Sequence, residues 1–290
     1  MDSDRATGST CPDLGDIQSV VLAALKEDVG TGDITAAIIP EDHRSHAVII
    51  TRNEGRFCGI PWGDAAVTAV DSTVRVDWHV EDGDRVVPGQ RIAGLVGLTR
   101  SLVTAERTLL NFLQLLSGTA SAAARAAHEV EHTHMQVLDT RKTIPGLRAA
   151  QKYAVACGGA SNHRHGLFDA VLLKENHLRA AGGIRSAASR AKLLHPGKML
   201  EVEVEDLAQL QEAITAKVDR VLLDNFDLPG LRAAVALAGG RVKLEASGGW
   251  SLRDLREVAA TGVDCISMGS LTKTIVPMDL SMRILPYVEE

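Results

Sequence analysis

Hydrophobic and polar positions follow two different patterns along the chain. In the first part, residues 17–27 have the spacing of a helix, whereas residues 46–52 and 74–80 alternate between apolar and polar positions. Alternation with a period of two is typical of strands with one buried face. Turn residues recur every few positions in residues 81–97, which predicts short antiparallel strands. A helix over residues 104–116 closes this part.

After about residue 118, short apolar stretches alternate with amphipathic ones. The predicted strands lie in residues 135–140, 169–176, 199–205, 220–225, 242–249 and 264–270, and helices are predicted over residues 206–217, 228–238 and 251–262. Ser251 and Asp254 resemble a capping box at the start of the last helix, and Gly262 is its expected stop. This regular alternation predicts a parallel sheet.

Parallel units of this kind either open into a doubly wound sheet or close into a barrel. Each predicted strand ends at residues suited to chemistry. These residues are Asp139, Thr140, Lys174, Glu203, Asp224, Ser247, Ser267 and Gly269. A barrel brings all carboxyl ends of its strands to one mouth, whereas an open sheet would spread six of them along a line. The pattern therefore favours a barrel.

Composition narrows the function classes. The 290 residues carry a formal charge of −6, so a nucleic-acid binder is not expected. No apolar stretch reaches about 18 residues, so a membrane-spanning segment is not expected either. The four cysteines form no C-x-x-C pair, which makes a disulfide framework or a zinc site unexpected. Residues 1–13 lack the features of a secretory signal and are interpreted as a flexible tail. We therefore expect a cytoplasmic protein.

Residues 139–177 form a basic segment. They contain six lysines and arginines against three acids, which gives +3 within a chain of −6. The basic residues are Arg141, Lys142, Arg148, Lys152, Arg164 and Lys174. Arg148 and Lys152 fit a solvated helix surface equally well, whereas the other four adjoin strand ends or glycine-rich loops. Those four predict a pocket for a small polyanion.

Two acidic strand ends complement this pocket. The 199–205 stretch places Glu201, Glu203 and Glu205 on one face, and Asp224 closes the next strand. Acids at adjacent strand ends suit Mg²⁺ or sugar hydroxyls, although a structural ion pair is the alternative for Glu203.

A glycine pair follows another strand end. Ser247, Gly248 and Gly249 lead directly into the predicted helix at Ser251. Free backbone N–H groups and a helix N-terminus favour an anion, and late barrel strands commonly hold phosphate in this way. The alternative is a plain turn between a strand and a helix.

Several long motifs occur in a definite order. They are LKEDVGTGDIT from residue 25, TAERTLLNFLQLLSG from 104, DTRKTIPGLR from 139, GGxxNHRxGL from 158, LLKENH from 172, EVEVE from 201, LLDN from 222, LEASGG from 244 and ISMGSLT from 266. Together they closely resemble the quinolinate phosphoribosyltransferases over about residues 17–285. Ser270 and Lys273 depart from the family's terminal motif, which usually reads closer to SxGALTH.

The resemblance implies an α/β fold with an N-terminal α/β sandwich, residues 14–117 completed by 275–290, and an incomplete TIM-type barrel, residues 118–274. It implies a transferase of NAD biosynthesis that joins quinolinate to the phosphoribosyl group of phosphoribosyl pyrophosphate and releases carbon dioxide. It also implies Mg²⁺ and a homodimer or larger assembly.

The resemblance also assigns residues. The catalytic residues would be Lys142, Glu203 and Asp224, with the two acids as tentative metal ligands, directly or through water or substrate. The substrate-binding residues would be these three with Arg107, Thr140, Arg141, His163, Arg164, Lys174, Ser247, Gly248, Gly249, Ser267 and Gly269. Arg107 would cross a subunit interface, whereas the sequence alone favours an exposed pair with its neighbour Glu106.

Three alternatives stay open at this point. A related molybdenum-locus pyrophosphorylase-like protein would share the fold and differ in substrate. A nicotinate phosphoribosyltransferase would need fewer basic residues for its monocarboxylate. A non-catalytic phosphate-binding barrel would need the anion pocket without the paired acids Glu203 and Asp224.

Overall fold

The computed structural model of the protein describes residues 11–286. Most of the predicted tail, residues 1–10, and the last four residues of the 275–290 segment lie outside the described residues. The helices are α1 (Leu14–Val29), α2 (Ile60–Val70), α3 (Thr99–Glu129), α4 (Arg148–Cys157), α5 (Glu175–Ala181), α6 (Ile184–Leu194), α7 (Leu207–Thr215), α8 (Leu228–Ala238), α9 (Leu255–Ala259) and α10 (Ser270–Lys273), with 3₁₀ turns at Ala36–Ile38 and Leu252–Asp254.

The strands are β1 (Arg44–Thr51), β2 (Gly55–Arg56), β3 (Arg75–Trp78), β4 (Arg85–Val86), β5 (Arg91–Leu98), β6 (Gln136–Leu138), β7 (Val171–Leu173), β8 (Leu200–Val204), β9 (Arg220–Asp224), β10 (Lys243–Ser247), β11 (Cys265–Ser267) and β12 (Leu280–Pro286). Within residues 11–286, none of the helices has the length and apolar character needed to cross a membrane.

The chain divides into two compact units. Within residues 11–286, the first comprises residues 11–124, 143–159 and 271–286, and the second comprises residues 125–142 and 160–270. Helix α3 continues from one into the other, so the predicted boundary near residue 118 falls inside a helix.

The first unit is built on an antiparallel sheet in the order β12-β1-β5-β3. Strand β1 alternates between buried and less buried positions, as predicted from its sequence. Helix α1 begins where Asp13 accepts the N–H of Gly15, and it buries Ile17, Val21 and Leu25, which are one turn apart. Helices and sheet share one apolar core.

The second unit contains a parallel sheet in the order β6-β11-β10-β9-β8-β7. Neighbours along the chain are neighbours in the sheet except β6 and β7, and β6 pairs instead with β11. The barrel is therefore open between β6 and β7, and the expected incomplete barrel is confirmed. Ser161 makes a single parallel bridge to Leu138 of β6, so the segment after it starts beside the opening.

Two predicted helices differ from the structure. The helix expected over residues 104–116 is α3, which is 31 residues long. The helix expected over 251–262 is a 3₁₀ turn followed by the five-residue α9, which ends before Gly262. The capping box of Ser251 and Asp254 is confirmed, but it caps the 3₁₀ turn. Residues 250–262 therefore form no long helix whose dipole could favour an anion at Gly249.

Candidate active site

The parallel sheet aligns the polar strand ends in one row. Asp224 of β9 lies directly beside Ser247 of β10, and Ser267 of β11 lies beside Leu138 of β6. Because adjacent residues of parallel strands in register point to the same face, these polar residues face the inside of the open barrel. Together with Glu203 and Lys174 they line its carboxyl edge.

Gly269 closes this edge against the loop that follows β6. A Cβ atom at Gly269 would lie 3.0 Å from Cδ of Lys142 and 3.5 Å from Oγ1 of Thr140. The Thr140 hydroxyl accepts the backbone N–H of Lys142 at 3.0 Å. The structure therefore brings these three predicted residues together, with an exposed lysine beside a glycine backbone. Such an arrangement suits a phosphate group.

Two further pairs occupy the opposite side of the row. Lys174 Nζ lies 2.7 Å from Glu203 Oε2, so these two predicted residues form an ion pair. Asp224 accepts the side-chain N–H of Asn225 at 2.9 Å. Gly248 has φ of +140°, and a Cβ atom there would lie 3.2 Å from Oδ1 of Asn225. A glycine is therefore required where this turn approaches the neighbouring strand end.

Two arginines are close to one another in the second unit. Burial, and next the positive charge of Arg141, lower the pKa of Arg164. The guanidinium of Arg164 donates to the carbonyl oxygen of Ala170 at 3.3 Å. Like charges repel, so their proximity is favourable where an anion lies between or beside them. Predicted residues Arg141 and Arg164 therefore provide one concentrated positive region.

His163 is buried beneath this region. Its Nε2 lies 3.1 Å from Glu201 Oε2 and 3.4 Å from Glu245 Oε2. Burial alone would lower the pKa of His163, but the hydrogen bonds and charges of these two carboxylates raise it to about 9. The backbone N–H of Arg164 donates to Nδ1 at 2.7 Å, and it opposes a second ring proton without outweighing the carboxylates.

Arg220 completes the buried group. Its Nε lies 2.9 Å from Glu201 Oε1 and 3.2 Å from Glu245 Oε2, and its Nη2 donates to Glu201 Oε2 at 3.1 Å. Burial would raise the pKa of Glu201, but His163 and Arg220 lower it to about 2. The ligand atoms of His163, Glu201 and Glu245 also lie close enough together to hold a metal. Arg220 already supplies a positive charge to the same oxygens, which disfavours a cation there.

Arg107 and Lys152 belong to the first unit. Arg107 is on α3 with its side chain 56% exposed, and its Nη2 lies 3.9 Å from Glu106 Oε1. This is the exposed pair that the sequence alone favours. Lys152 is completely buried on α4, so it lies neither on a solvated surface nor in the barrel unit.

Family models cover nearly the whole chain. The C-terminal domain of quinolinate phosphoribosyl transferase matches residues 119–283, and the N-terminal domain matches residues 33–117. The chain belongs to the quinolinate phosphoribosyltransferase family.

Individual members of the quinolinate phosphoribosyltransferase family are similar over most of their length. A probable nicotinate-nucleotide pyrophosphorylase (carboxylating) of Bacillus subtilis (strain 168) is 39% identical over 89% of this chain and 90% of its own. A quinolinate phosphoribosyltransferase (decarboxylating) of Nicotiana tabacum is 37% identical over 93% of this chain and 82% of its own. The structure of the Francisella tularensis nicotinate-nucleotide pyrophosphorylase is 44% identical, with a TM-score of 0.93 over 97% of this chain and all of that one.

Sequence reasoning missed the contacts of four polar residues around His163. They are Asp139, which it named only as a strand end, Glu201, which it named only as part of the acidic face of its strand, and Arg220 and Glu245. Asp139 is fully buried and accepts both the His163 N–H at 2.9 Å and the Asn162 side-chain N–H at 2.6 Å. The available signal was a charged residue inside each of three apolar strands, β8, β9 and β10, which requires partners within the fold.

Proposed function

We propose that this protein transfers the phosphoribosyl group of phosphoribosyl pyrophosphate to quinolinate and releases pyrophosphate and carbon dioxide, which forms nicotinate mononucleotide for NAD biosynthesis. The observation that carries the proposal is the set of basic side chains at the carboxyl edge of the sheet, Lys142 beside Gly269 and Lys174 beside Glu203, to which the mutually repelling Arg141 and Arg164 add further positive charge. Both substrates are polyanions, and this edge offers the charge to bind them together. The names of the family's members support the same reaction.

Each group of residues would have a separate role. Arg141, Arg164 and Lys174 would bind the two carboxylates of quinolinate and direct its ring nitrogen at C1 of the ribose. Lys142, beside the Gly269 backbone, would bind the pyrophosphate that leaves. The turn at Gly248 and the side chains of Ser247 and Ser267 would hold the phosphate that stays on the ribose. Thr140 would fix the loop that carries Lys142 through its hydrogen bond to the Lys142 N–H.

The reaction would proceed in two bond changes. The bond between C1 and the pyrophosphate oxygen breaks while the ring nitrogen bonds to C1, and the positive charge on the ribose is stabilised by Glu203 and Asp224. The bond between ring carbon C2 and its carboxylate then breaks, and its electron pair stays on C2, where the adjacent positively charged nitrogen stabilises it. Carbon dioxide leaves, and the ring carbon takes a proton from water. The quinolinate carboxylates need to stay in place during both steps, and Arg141 and Arg164 would hold them.

Glu203 and Asp224 are also our proposed ligands for Mg²⁺. They contribute carboxylate oxygens from adjacent strands, β8 and β9, which are donors that Mg²⁺ prefers. They are only two, so water or substrate oxygens would complete the coordination. When bound, the ion would neutralise charge on the pyrophosphate. Removal of divalent ions with EDTA should abolish turnover, and added Mg²⁺ should restore it; turnover that persists in EDTA would contradict the proposal.

The reaction has a direct test. The purified protein is incubated with phosphoribosyl pyrophosphate, Mg²⁺ and either quinolinate or nicotinate, and nicotinate mononucleotide and carbon dioxide are measured. We expect product from quinolinate and none from nicotinate. Product from nicotinate alone, or none from quinolinate with a folded and assembled protein, would contradict the proposal.

Arg107 would complete the site of a second subunit in a homodimer. Its exposed position on α3 leaves its guanidinium accessible on a single chain. In a symmetric dimer the same contact would occur twice. The inactive variants Arg107→Ala and Arg141→Ala can therefore be unfolded, mixed in equal amounts and refolded together.

Random reassociation should restore about a quarter of the wild-type sites, because half of the dimers would be mixed and each would have one intact site. Each variant refolded alone serves as the control. If the mixture stays as inactive as the separate variants, while both are dimers, the two arginines belong to the same subunit's site.

A further inference from the structure

The inner face of the barrel has a layer of charge below the carboxyl edge. Glu201 of β8 and Arg220 of β9 are register partners, and Glu245 of β10 lies two residues beyond Lys243, the β10 partner of Arg220, and so on the same face. Both acids are completely buried, and the side chain of Arg220 is 13% exposed. Buried charges lower stability unless they are paired, and even paired they stabilise weakly compared with apolar packing. A role beyond stability is therefore expected.

All three side chains converge on one ring. His163 Nε2 lies 3.1 Å from Glu201 Oε2, 3.4 Å from Glu245 Oε2 and 3.1 Å from Arg220 Nη2. Its other nitrogen, Nδ1, lies 2.7 Å from the backbone nitrogen of Arg164. Both ring nitrogens thus face atoms of the chain itself. His163 is in place to act through Arg164 and not through a direct bond to substrate.

The segment that carries His163 is also held by hydrogen bonds to Asp139, at the carboxyl end of β6. Asp139, which immediately follows β6, accepts the His163 N–H and the Asn162 side-chain N–H. Ser161 donates its N–H to Val137 and accepts the N–H of Asp139. The segment runs beside the open edge of the barrel, and beyond the bridge between Ser161 and Leu138 no strand pairing within residues 11–286 supports it. Its side chains therefore need contacts from within the barrel to hold one position.

We propose that Glu201, Arg220 and Glu245 are positioning residues, which fix the His163 ring and through it the guanidinium of Arg164 at the quinolinate carboxylates. This inference rests on the proposed function for its substrate. The three residues touch no reacting atom. Their substitution should therefore weaken quinolinate binding selectively and leave the binding of phosphoribosyl pyrophosphate almost unchanged.

Two substitutions of graded severity test it. Both Glu201 oxygens accept hydrogen bonds from Arg220. In Glu201→Gln the amide NH₂ group replaces one of these oxygens, so that two hydrogen-bond donors face each other. Glu245→Gln is milder, because Glu245 Oε1 has no hydrogen-bond partner in the described part of the chain and the amide nitrogen can take its place. We expect KM for quinolinate to rise about 10- to 100-fold and about 3- to 10-fold, respectively, with KM for phosphoribosyl pyrophosphate changed by less than about 2-fold.

Asp264→Asn is the matched control. It is also an acid-to-amide change, at the residue before β11, and Asp264 accepts the backbone N–H of Leu244 at 2.7 Å at the amino ends of β10 and β11. A general loss of sheet stability would appear in this variant as in the others. We expect a lower Tm in all three variants and a raised KM for quinolinate only in Glu201→Gln and Glu245→Gln.

The decisive measurement combines Glu245→Gln with Arg164→Ala. If Glu245 acts through Arg164, its substitution should reduce kcat/KM for quinolinate by less than about 2-fold in the Arg164→Ala background, because the group it positions is already missing. Equal losses in both backgrounds would overturn the inference. So would an equal rise of both KM values, or a change in Tm alone. Glu245→Gln keeps the test decisive if Glu201→Gln does not fold.

A wild-type protein without quinolinate turnover would contradict the proposed function and not the network. The contacts of His163 with Glu201, Arg220 and Glu245 can then be tested separately by NMR. The ¹⁵N and ¹H signals of the His163 ring are assigned by their loss in His163→Asn. One sharp set of ring signals in the wild type, broadened or shifted in Glu245→Gln and unchanged in Asp264→Asn, would support a fixed ring. Ring signals that are averaged by motion in the wild type would overturn it.

Discussion

The interiors of the two units differ on the inner face of the second unit's sheet. Both units bury leucine and isoleucine side chains completely, such as Leu95 in the first and Leu223 and Ile266 in the second, and the first unit also buries the larger Trp62 and Phe57. The inner face of the second unit's sheet instead buries Glu201 and Glu245 against Arg220 and His163. The first interior gains free energy from removing apolar surface from water. The second loses much of its Coulombic gain to desolvation.

The difference separates stability from orientation. An apolar core tolerates small rearrangements as long as its volume is filled. A buried ion pair requires defined distances and angles, so it holds each side chain in one place. The unit that carries most of the predicted substrate residues is the one whose sheet has a charged inner face, whereas the antiparallel sheet of the first unit packs against an apolar core. Substitutions in the two interiors should therefore fail in different ways.

The largest expected effect is on the positive region itself. Arg141→Ala should lower kcat/KM for quinolinate by about 10³-fold, because the charge and the fork-shaped contact to a carboxylate are lost together. The change in Tm should be small, since this arginine serves the ligand and not the packing. Steady-state kinetics and thermal unfolding measure both. Arg232→Gln, at an exposed position of α8, is the control for loss of one positive charge. Full turnover of Arg141→Ala would disprove the assignment.

The apolar core of the first unit should show the opposite behaviour. Leu95 on β5 is 1% exposed, and Leu95→Ala should lower the free energy of unfolding by about 3–4 kcal/mol through lost burial and a residual cavity. Both KM values should stay at the wild-type level below the unfolding temperature. Urea unfolding gives the stability, and Leu22→Ala, at a position that is 55% exposed, is the control. A raised KM for quinolinate in Leu95→Ala would show that substitutions in the apolar core of the first unit also affect substrate binding, which contradicts the expected difference.

The sequence predicted the row of strand ends but not the charged layer beneath it. Alternation correctly placed Glu201 and Glu203 on one face of β8, whereas Glu205 lies one residue beyond the end of that strand. Alternation could not separate the depths of the three acids, which are buried, half-buried and exposed in that order. Depth depends on Arg220 from the next strand and on His163 from a loop 38 residues upstream of Glu201, and neither contact has a local signature.

The glycine at 118 shows a second limit. Glycine lowers helix propensity, and a change of pattern near it suggested a boundary. Helix α3 instead runs through this position, and a Cβ atom there would collide with the backbone of Val276 and Pro277. The residue is needed for close approach of another segment of the first unit. Hydrophobic periodicity describes one segment at a time. It therefore cannot tell whether a glycine ends a helix or lets a distant segment pack closely against it.

The third largest expected effect is a pH dependence of stability, which comes from the buried His163 of the second unit. The pKa of His163 is about 9 in the folded protein and 6.5 in the unfolded chain, so its proton stabilises the fold fully below about pH 6.5. The stabilisation is lost as the pH rises through about 9, and it is on the order of 3 kcal/mol. Glu201 and Glu245 are the acids that face the ring, and Arg220 and the Arg164 N–H oppose its charge.

Urea unfolding at pH 6 and pH 9.5 measures this dependence. The difference between the two free energies should shrink in His163→Asn and persist in His128→Asn, because the side chain of His128 is 66% exposed. An identical pH dependence in the wild type and His163→Asn would show that the buried ring does not bind an extra proton on folding.

The smallest effect should come from a salt bridge with good geometry on the surface. Arg179 and Glu175, one turn apart on α5, are 2.6 Å apart, but their side chains are 76% and 51% exposed. Solvent and salt screen such a pair, so a double-mutant cycle of Arg179→Gln and Glu175→Gln should give a coupling free energy of about 0.3–0.5 kcal/mol. The coupling should fall further in 1 M salt. A coupling above about 2 kcal/mol would mean that burial does not decide what an ion pair contributes here, and the contrast drawn with Glu201 and Arg220 would then fail.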